Sequence, residues 1–194
     1  MTRLTAPRRL LTPLLTAATL LTLAAPAHAL SLLDRGPIAD FLTVFRQQGV
    51  PRQTIGWNSP YKPGTVVIST SQRRLYYILP NQEAVQYGVG VGREGFSWSG
   101  TKTVTMKKEW PAWRPPEQMI KRRPDLPRYM AGGNDNPLGA RALYLGSSLY
   151  RIHGSNEPET IGAAVSSGCI RMTNRDVIDL YGRVKVGTKV VVLP

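Results

Sequence analysis

Cys169 and His153 stand sixteen positions apart, and a thiol with an imidazole is the smallest set of side chains that can carry nucleophilic acyl transfer. The cysteine lies in Ser166-Ser167-Gly168-Cys169-Ile170-Arg171-Met172 and is the single cysteine of the chain, so it has no disulfide partner. The histidine lies in Ile152-His153-Gly154-Ser155-Asn156. The other histidine, His28, falls in a leader-like segment, which leaves too few soft ligands for zinc. Neither a metal nor a cofactor is expected.

A free thiol has a pKa of about 8.5, so little of it is thiolate at neutral pH. A nearby imidazole can take the proton or stabilise the thiolate, and can later protonate a leaving amine. Gly168 removes a Cβ just before the nucleophile, and a tight turn there aims the Cys169 N–H at a developing oxyanion. No acidic third member is evident. A main-chain carbonyl can orient the imidazole instead, and the Gly154 carbonyl is the candidate. Arg171 suits a bidentate grip on a substrate carboxylate, or a structural bridge to the loop over 110–137. Ser166 and Ser167 are polar neighbours of the thiol that either bond substrate or close a local turn.

These groups need a scaffold. Residues 1–29 read as a secretory signal peptide. Arg3, Arg8 and Arg9 make a basic start, Leu10 to Ala25 is apolar or small, and Ala27-His28-Ala29 is a small-residue cleavage pattern. Residues 30–62 are expected to form a helical lead-in, with an amphipathic helix over Ser31–Gln48 that Gly49 and Pro51 end. Residues 63–194 are expected to form one domain. Thr65–Ser69, Arg74–Leu79, Ala84–Val91 and Thr101–Lys107 have the β-branched and aromatic alternation of half-buried antiparallel strands, and Ala142–Leu145, Leu149–Ile152 and Lys189–Leu193 are read as further strands. His153 then sits at a strand end. Asn156 with Glu159 suggests a short helix through Ala164, and Thr173 with Asp176 caps a second helix. The proline-rich stretch over 110–137 is read as an ordered loop flanking a groove, or as a cover over a sheet edge.

The formal net charge of +13 favours an anionic partner. An exported chain without an aromatic and basic recognition run is a poor nucleic-acid binder, and an anionic wall or membrane surface fits better. No segment beyond the leader is long and apolar enough to predict a membrane span.

The string from Ile152 to Met172, with His153-Gly154 and Ser166-x-Gly168-Cys169-Ile170-Arg171-Met172, resembles the active-site signature of the L,D-transpeptidases. Arg74-Leu75-Tyr76, Pro111-x-Trp113-x-Pro115-Pro116 and Asn136-Pro137-Leu138-Gly139 are also similar to that family. The resemblance implies a mainly β fold, a β-sandwich of mixed sheets with one or two short helices. It implies Cys169 as nucleophile, His153 as general acid and base, and peptidoglycan stem peptides as partners. D-Alanine would leave, and the acyl group would pass to an amine of a second stem, a lipoprotein or a D-amino acid. The place of action would be the periplasm or cell wall. Ser167 and Arg171 stand where many relatives have His and Asn, which bears on acceptor preference. A cysteine-dependent carboxypeptidase or hydrolase is the alternative, although papain-like and NlpC-type enzymes place cysteine before histidine. A non-catalytic wall-binding protein is a third class.

Overall fold

The computed structural model describes residues 51–194. The leader and the helix read over Ser31–Gln48 lie outside those residues. Eleven strands and two helices follow in chain order: β1 (Gln53–Gly56), β2 (Val66–Ser69), β3 (Arg74–Leu79), β4 (Glu83–Gly88), β5 (Val91–Gly92), β6 (Gly100–Glu109), α1 (Glu117–Arg122), β7 (Arg141–Leu145), β8 (Arg151–His153), β9 (Ala164–Ser166), β10 (Ile170–Arg171), α2 (Asn174–Arg183) and β11 (Lys189–Leu193). Nine strands form one mixed sheet in the order β1-β4-β3-β2-β11-β6-β7-β8-β10, and β5 pairs with β9 in a small second ladder.

Strand β6 is the hinge of the sheet. Its first residues pair with β11 and its later ones with β7, with a register shift between Val104 and Met106. Such a bulge bends a strand and sharpens its twist, so the sheet curls over itself. Side chains from β2, β3, β4, β7, β8 and β10 therefore meet in one core with Val177 and Leu180 of α2 and with Val184 just after it. Strand β2 is buried on both faces: Val66 and Ile68 enter this core, while Val67 joins Tyr76, Ile78 and Ala84 on the other side. Its partner β11 runs parallel to it. The alternation that suggested half-buried antiparallel strands thus describes the edges better than the centre.

Strand β1 adds to the edge of β4, and Trp57 stacks on Tyr76 with centroids 4.1 Å apart. The sheet accordingly begins ten residues ahead of Pro63, at Gln53. The hairpin from β3 to β4 turns through Asn81 and Gln82 at φ 62° and 60°, the left-handed geometry that matches strand twist.

Helix α2 is capped as its sequence suggests, with Thr173 Oγ1 accepting from Asp176 N at 3.1 Å. Tyr87 passes through the core to place its hydroxyl 2.6 Å from Asp179 Oδ2 on this helix, and Arg183 bonds the same carboxylate at 2.8 Å. The helix read through Ala164 is not there. Pro158–Thr160 make a single 3₁₀ turn, Gly162 takes φ 90°, and Ala164–Ser166 extend into β9. Asn156 does not cap it; its Nδ2 donates to the Asp135 carbonyl at 3.1 Å and ties the turn to the 110–137 loop.

That loop is ordered by its own bonds. Trp113 and Met130 exchange two main-chain hydrogen bonds of 2.8 and 2.9 Å. Asn136 is 1% exposed; its Nδ2 donates to the Ala131 carbonyl and its Oδ1 accepts from Leu138 N, both at 2.9 Å. Helix α1, one and a half turns long with no buried side chain, rides on this frame.

Candidate active site

The site is built where β8 and β10 run side by side. Their parallel register sets Ile170 beside Ile152 and Arg171 beside His153, and Met172 N donates to the His153 carbonyl at 2.8 Å. Ile152 and Ile170 point into the core. Successive strand residues face opposite sides, so Arg151 and His153 share the other face of β8. Cys169 directly precedes this paired stretch, and Arg151 directly precedes Ile152 at the same end of it.

His153 is 4% exposed, and its Nδ1 lies 2.6 Å from the Gly154 carbonyl oxygen. A carbonyl only accepts, so Nδ1 carries the proton of the neutral ring and Nε2 keeps its lone pair. Burial pushes the imidazole down to about 4, against the bond to Gly154 and with help from the guanidinium charges of Arg171 and Arg151. The ring is therefore neutral at neutral pH. Gly154 is packed against the Asn174 side chain, whose Oδ1 accepts from Ala140 N at 2.9 Å, so a side chain at 154 has no room.

Cys169 is partly exposed, and its thiol donates to the Leu149 carbonyl at 3.7 Å rather than to the His153 ring. Burial raises the thiol above its ordinary value, opposed by the Arg151 main chain and guanidinium and then by Arg171. The resting site thus holds a protonated thiol and a neutral ring. The lowered thiol that sequence reasoning leads one to expect beside an imidazole does not appear, because desolvation disfavours both charged forms.

Gly168 has φ 104°, a conformation that side chains resist, and a methyl there would lie 2.5 Å from Tyr150 Cε1. Tyr150 stacks on Trp98 with centroids 4.7 Å apart and planes 6° from parallel, and Trp98 Nε1 donates to the Gly168 carbonyl at 2.8 Å. The turn is held on its inner side by Ser166, which is 4% exposed. Its Oγ donates to the Cys169 carbonyl at 2.6 Å and accepts from Gly168 N at 3.1 Å.

The structure gives Ser166, Ser167 and Arg171 the following partners. Ser166 makes the local turn bonds that its sequence offered as one of two roles. Ser167 faces the groove edge, where Arg122 Nη2 approaches its Oγ at 3.5 Å. Arg171 is not a free clamp: its Nη1 lies 2.9 Å from Glu157 Oε2 and 3.4 Å from Thr160 Oγ1, so it pins the 3₁₀ turn. The bridge runs to residues 157–160 and not to the 110–137 loop.

Cys169 and His153 open onto one groove with a volume of about 620 Å³. Leu149, Tyr150 and Arg151 line one side, and Trp113, Met119 and Arg122 of the 110–137 loop line the other. Phe96 is approached by both Arg93 and Arg122, whose guanidinium carbons sit 4.3 and 5.2 Å from its ring centroid. This volume accommodates a short peptide, and its rim is cationic. Among the described residues no His, Cys, Asp and Glu cluster could hold a metal ion, and no helix is long and apolar enough to cross a membrane. Sequence reasoning missed Arg151. The signal was available, since a residue two before His153 on a strand must share its face.

The profile of the YkuD L,D-transpeptidase catalytic domain matches residues 63–192. The probable L,D-transpeptidase ErfK/SrfK of Escherichia coli is 36% identical over 84% of this chain and 54% of its own length. The probable L,D-transpeptidase YbiS of the same species is also 36% identical, over 73% of this chain and 47% of its own. The chain therefore spans about half the length of these curated relatives. L,D-transpeptidase 3 of Mycobacterium tuberculosis shares the fold, with a TM-score of 0.55 at 18% identity over 67% of this chain and 60% of its own. A Brucella melitensis structure, named a probable carnitine operon oxidoreductase, is 44% identical over 74% of this chain and 94% of its own, with a TM-score of 0.51.

Proposed function

The chain belongs to the L,D-transpeptidase catalytic-domain family, and on that premise we propose that it is an acyltransferase acting on peptidoglycan stem peptides through a thioester on Cys169. The observation that carries the reading is the meeting of Cys169 and His153 at one peptide-sized groove, with the ring locked so that Nε2 is its basic atom.

The stem peptide enters the groove with the carbonyl of its third residue over Sγ. Rotation of the thiol about its side-chain bond takes it from the Leu149 carbonyl towards Nε2; catalytic hydrogen bonds commonly tighten only when substrate is bound. Sγ attacks the carbonyl carbon as its proton passes to Nε2. The negative charge that develops on the carbonyl oxygen is met by the Cys169 N–H, carried on the Gly168 turn; one such donor is worth about 3 kcal/mol in comparable sites. The C–N bond to the terminal D-alanine breaks, and Nε2 returns the proton to the leaving amine. A second amine, deprotonated by the same nitrogen, then attacks the thioester and frees the thiol.

The resting neutral pair suits this cycle. A neutral ring accepts a proton at every pH above its own low value, and an uncharged thiol stays a weak nucleophile until its proton passes to that ring. The cationic rim complements the carboxylates of stem peptides, and the leader pattern fits action in the periplasm or cell wall. The acceptor is an amine from a second stem, a lipoprotein or a free D-amino acid.

Purified protein incubated with a tetrapeptide stem and an excess of a different D-amino acid tests the reading by mass spectrometry. Release of D-alanine with incorporation of the added amino acid supports transfer. Release without incorporation supports a hydrolase, and absence of both refutes acyl chemistry on this substrate.

A further inference from the structure

Two side chains of the groove converge on one acceptor. Arg151 Nη1 donates to the Leu149 carbonyl at 3.0 Å, and Cys169 Sγ donates to the same oxygen at 3.7 Å. Arg151 is held there by more than that bond. Its guanidinium carbon lies 4.9 Å over the ring of Tyr144, its cross-strand partner on β7. Among the described residues, its Nε is the buried side-chain nitrogen or oxygen that meets no protein partner. A buried donor without a protein acceptor is free to take a new one.

We propose that Arg151 is the fixed counter-charge of the Cys169 thiolate, receiving the sulfur's lone pair when the thiol loses its proton. The proposal rests on Cys169 being the nucleophile of the acyl transfer described above. The balance is simple. The S–H bond breaks, its proton passes to His153 Nε2, and the bond to the Leu149 carbonyl is lost with it. The sulfur becomes an acceptor, and the guanidinium beside it keeps donors to offer. The chain path supports the placement, because Cys169 directly precedes Ile170, whose partner Ile152 directly follows Arg151.

The other charged groups around the thiol are less suited. Arg171 on β10 is paired with Glu157 of the 3₁₀ turn. Arg122 and Arg123 belong to the far wall, where Arg122 approaches Ser167 and Arg123 pairs with Asp125 at 2.6 Å. Arg93 stacks on Phe96. His153 is buried and neutral in the resting state, so it supplies no standing positive charge. An arginine, charged at every accessible pH, supplies one without competing for the proton.

The test reads the thiolate itself. The pH dependence of iodoacetamide alkylation at Cys169, followed by intact mass, gives a midpoint that needs neither stem peptide nor acceptor. Arg151→Gln is expected to move this midpoint up by about one pH unit or more, the usual effect of losing an opposite charge at short range. Arg151→Lys should restore most of the shift, and Arg171→Gln should move it less. Arg151→Met keeps the apolar stem and is read in place of the glutamine variant if that one does not fold. Superimposable profiles for wild type and the charge-free variant overturn the proposal, as does an equal shift from Arg171→Gln. D-Alanine release by wild type is scored separately. A shifted profile without release refutes the transfer reading alone, and release with an unshifted profile refutes the counter-charge alone.

Discussion

Arg171 lies beside His153 in the parallel pairing of β10 with β8, yet its guanidinium turns away to Glu157 at 2.9 Å. One backbone relationship thus brings the cysteine strand to the histidine strand, and one ion pair fixes the turn that connects them. The Glu157 side chain is 52% exposed, so the pair contributes at most about 1 kcal/mol to stability. Its role is geometric.

If so, Arg171→Lys and Glu157→Gln should have similar, small effects on unfolding, and the double variant should cost no more than either alone. Stems with a free or an amidated carboxylate should lose activity equally. A selective loss for the free carboxylate would return Arg171 to substrate binding.

The histidine makes a sharper prediction. His153→Ala removes the base that takes the thiol proton and the acid that protonates the leaving amine, so turnover should fall by about 10²-fold or more. His153→Gln should behave alike, since an amide cannot move the proton. Near-normal D-alanine release by either variant would contradict the assignment.

Acid stability follows from the same residue. The folded His153 titrates near 4 and the unfolded one near 6.5, so below 6.5 the unfolded chain binds a proton that the folded chain refuses. Stability should therefore fall as pH drops from 6.5 to 4, by on the order of 3 kcal/mol at full effect. In His153→Gln that segment of the pH profile should flatten. Asp179 acts in a lower window: burial raises its carboxyl, but bonds from Arg183 and Tyr87 outweigh this and hold it below its ordinary 3.8. Its contribution is present above that value and lost as pH falls through the folded one. Thermal melts between pH 7 and 3 on wild type and His153→Gln check both windows.

Gly168→Ala tests the turn. The methyl must enter a left-handed conformation and displace Tyr150 from its stack on Trp98. The expected result is a loss of at least about 1 kcal/mol in stability, with alkylation of Cys169 and D-alanine release both slowed. A variant as stable and active as wild type would show that this turn does not aim the nucleophile.

The strands were legible because their residues are β-branched or aromatic and bounded by turns, as in Arg74–Leu79 and Lys189–Leu193. The cap at Thr173 was legible because its partner is three residues away. The sheet order was not, since the parallel pairings of β2 with β11 and β8 with β10 depend on contacts distant in sequence. The helix expected through Ala164 failed where Gly162 and the Arg171 contacts override a local capping pattern. For the site, His153 and Cys169 could be named from residue type, and the Gly154 carbonyl from adjacency. Arg151 was legible from its place two residues before His153 on a strand, but the commitment of Arg171 to Glu157 depended on a side-chain partner that spacing does not encode.

Peptide mapping of the protein quenched during turnover with a tetrapeptide stem decides whether the chemistry runs through the sulfur. A mass increase on the Cys169 peptide equal to the stem minus D-alanine, removed by hydroxylamine and absent in Cys169→Ala, is the outcome this mechanism requires. D-Alanine release that persists in Cys169→Ala, or an acyl adduct on another residue, would contradict it.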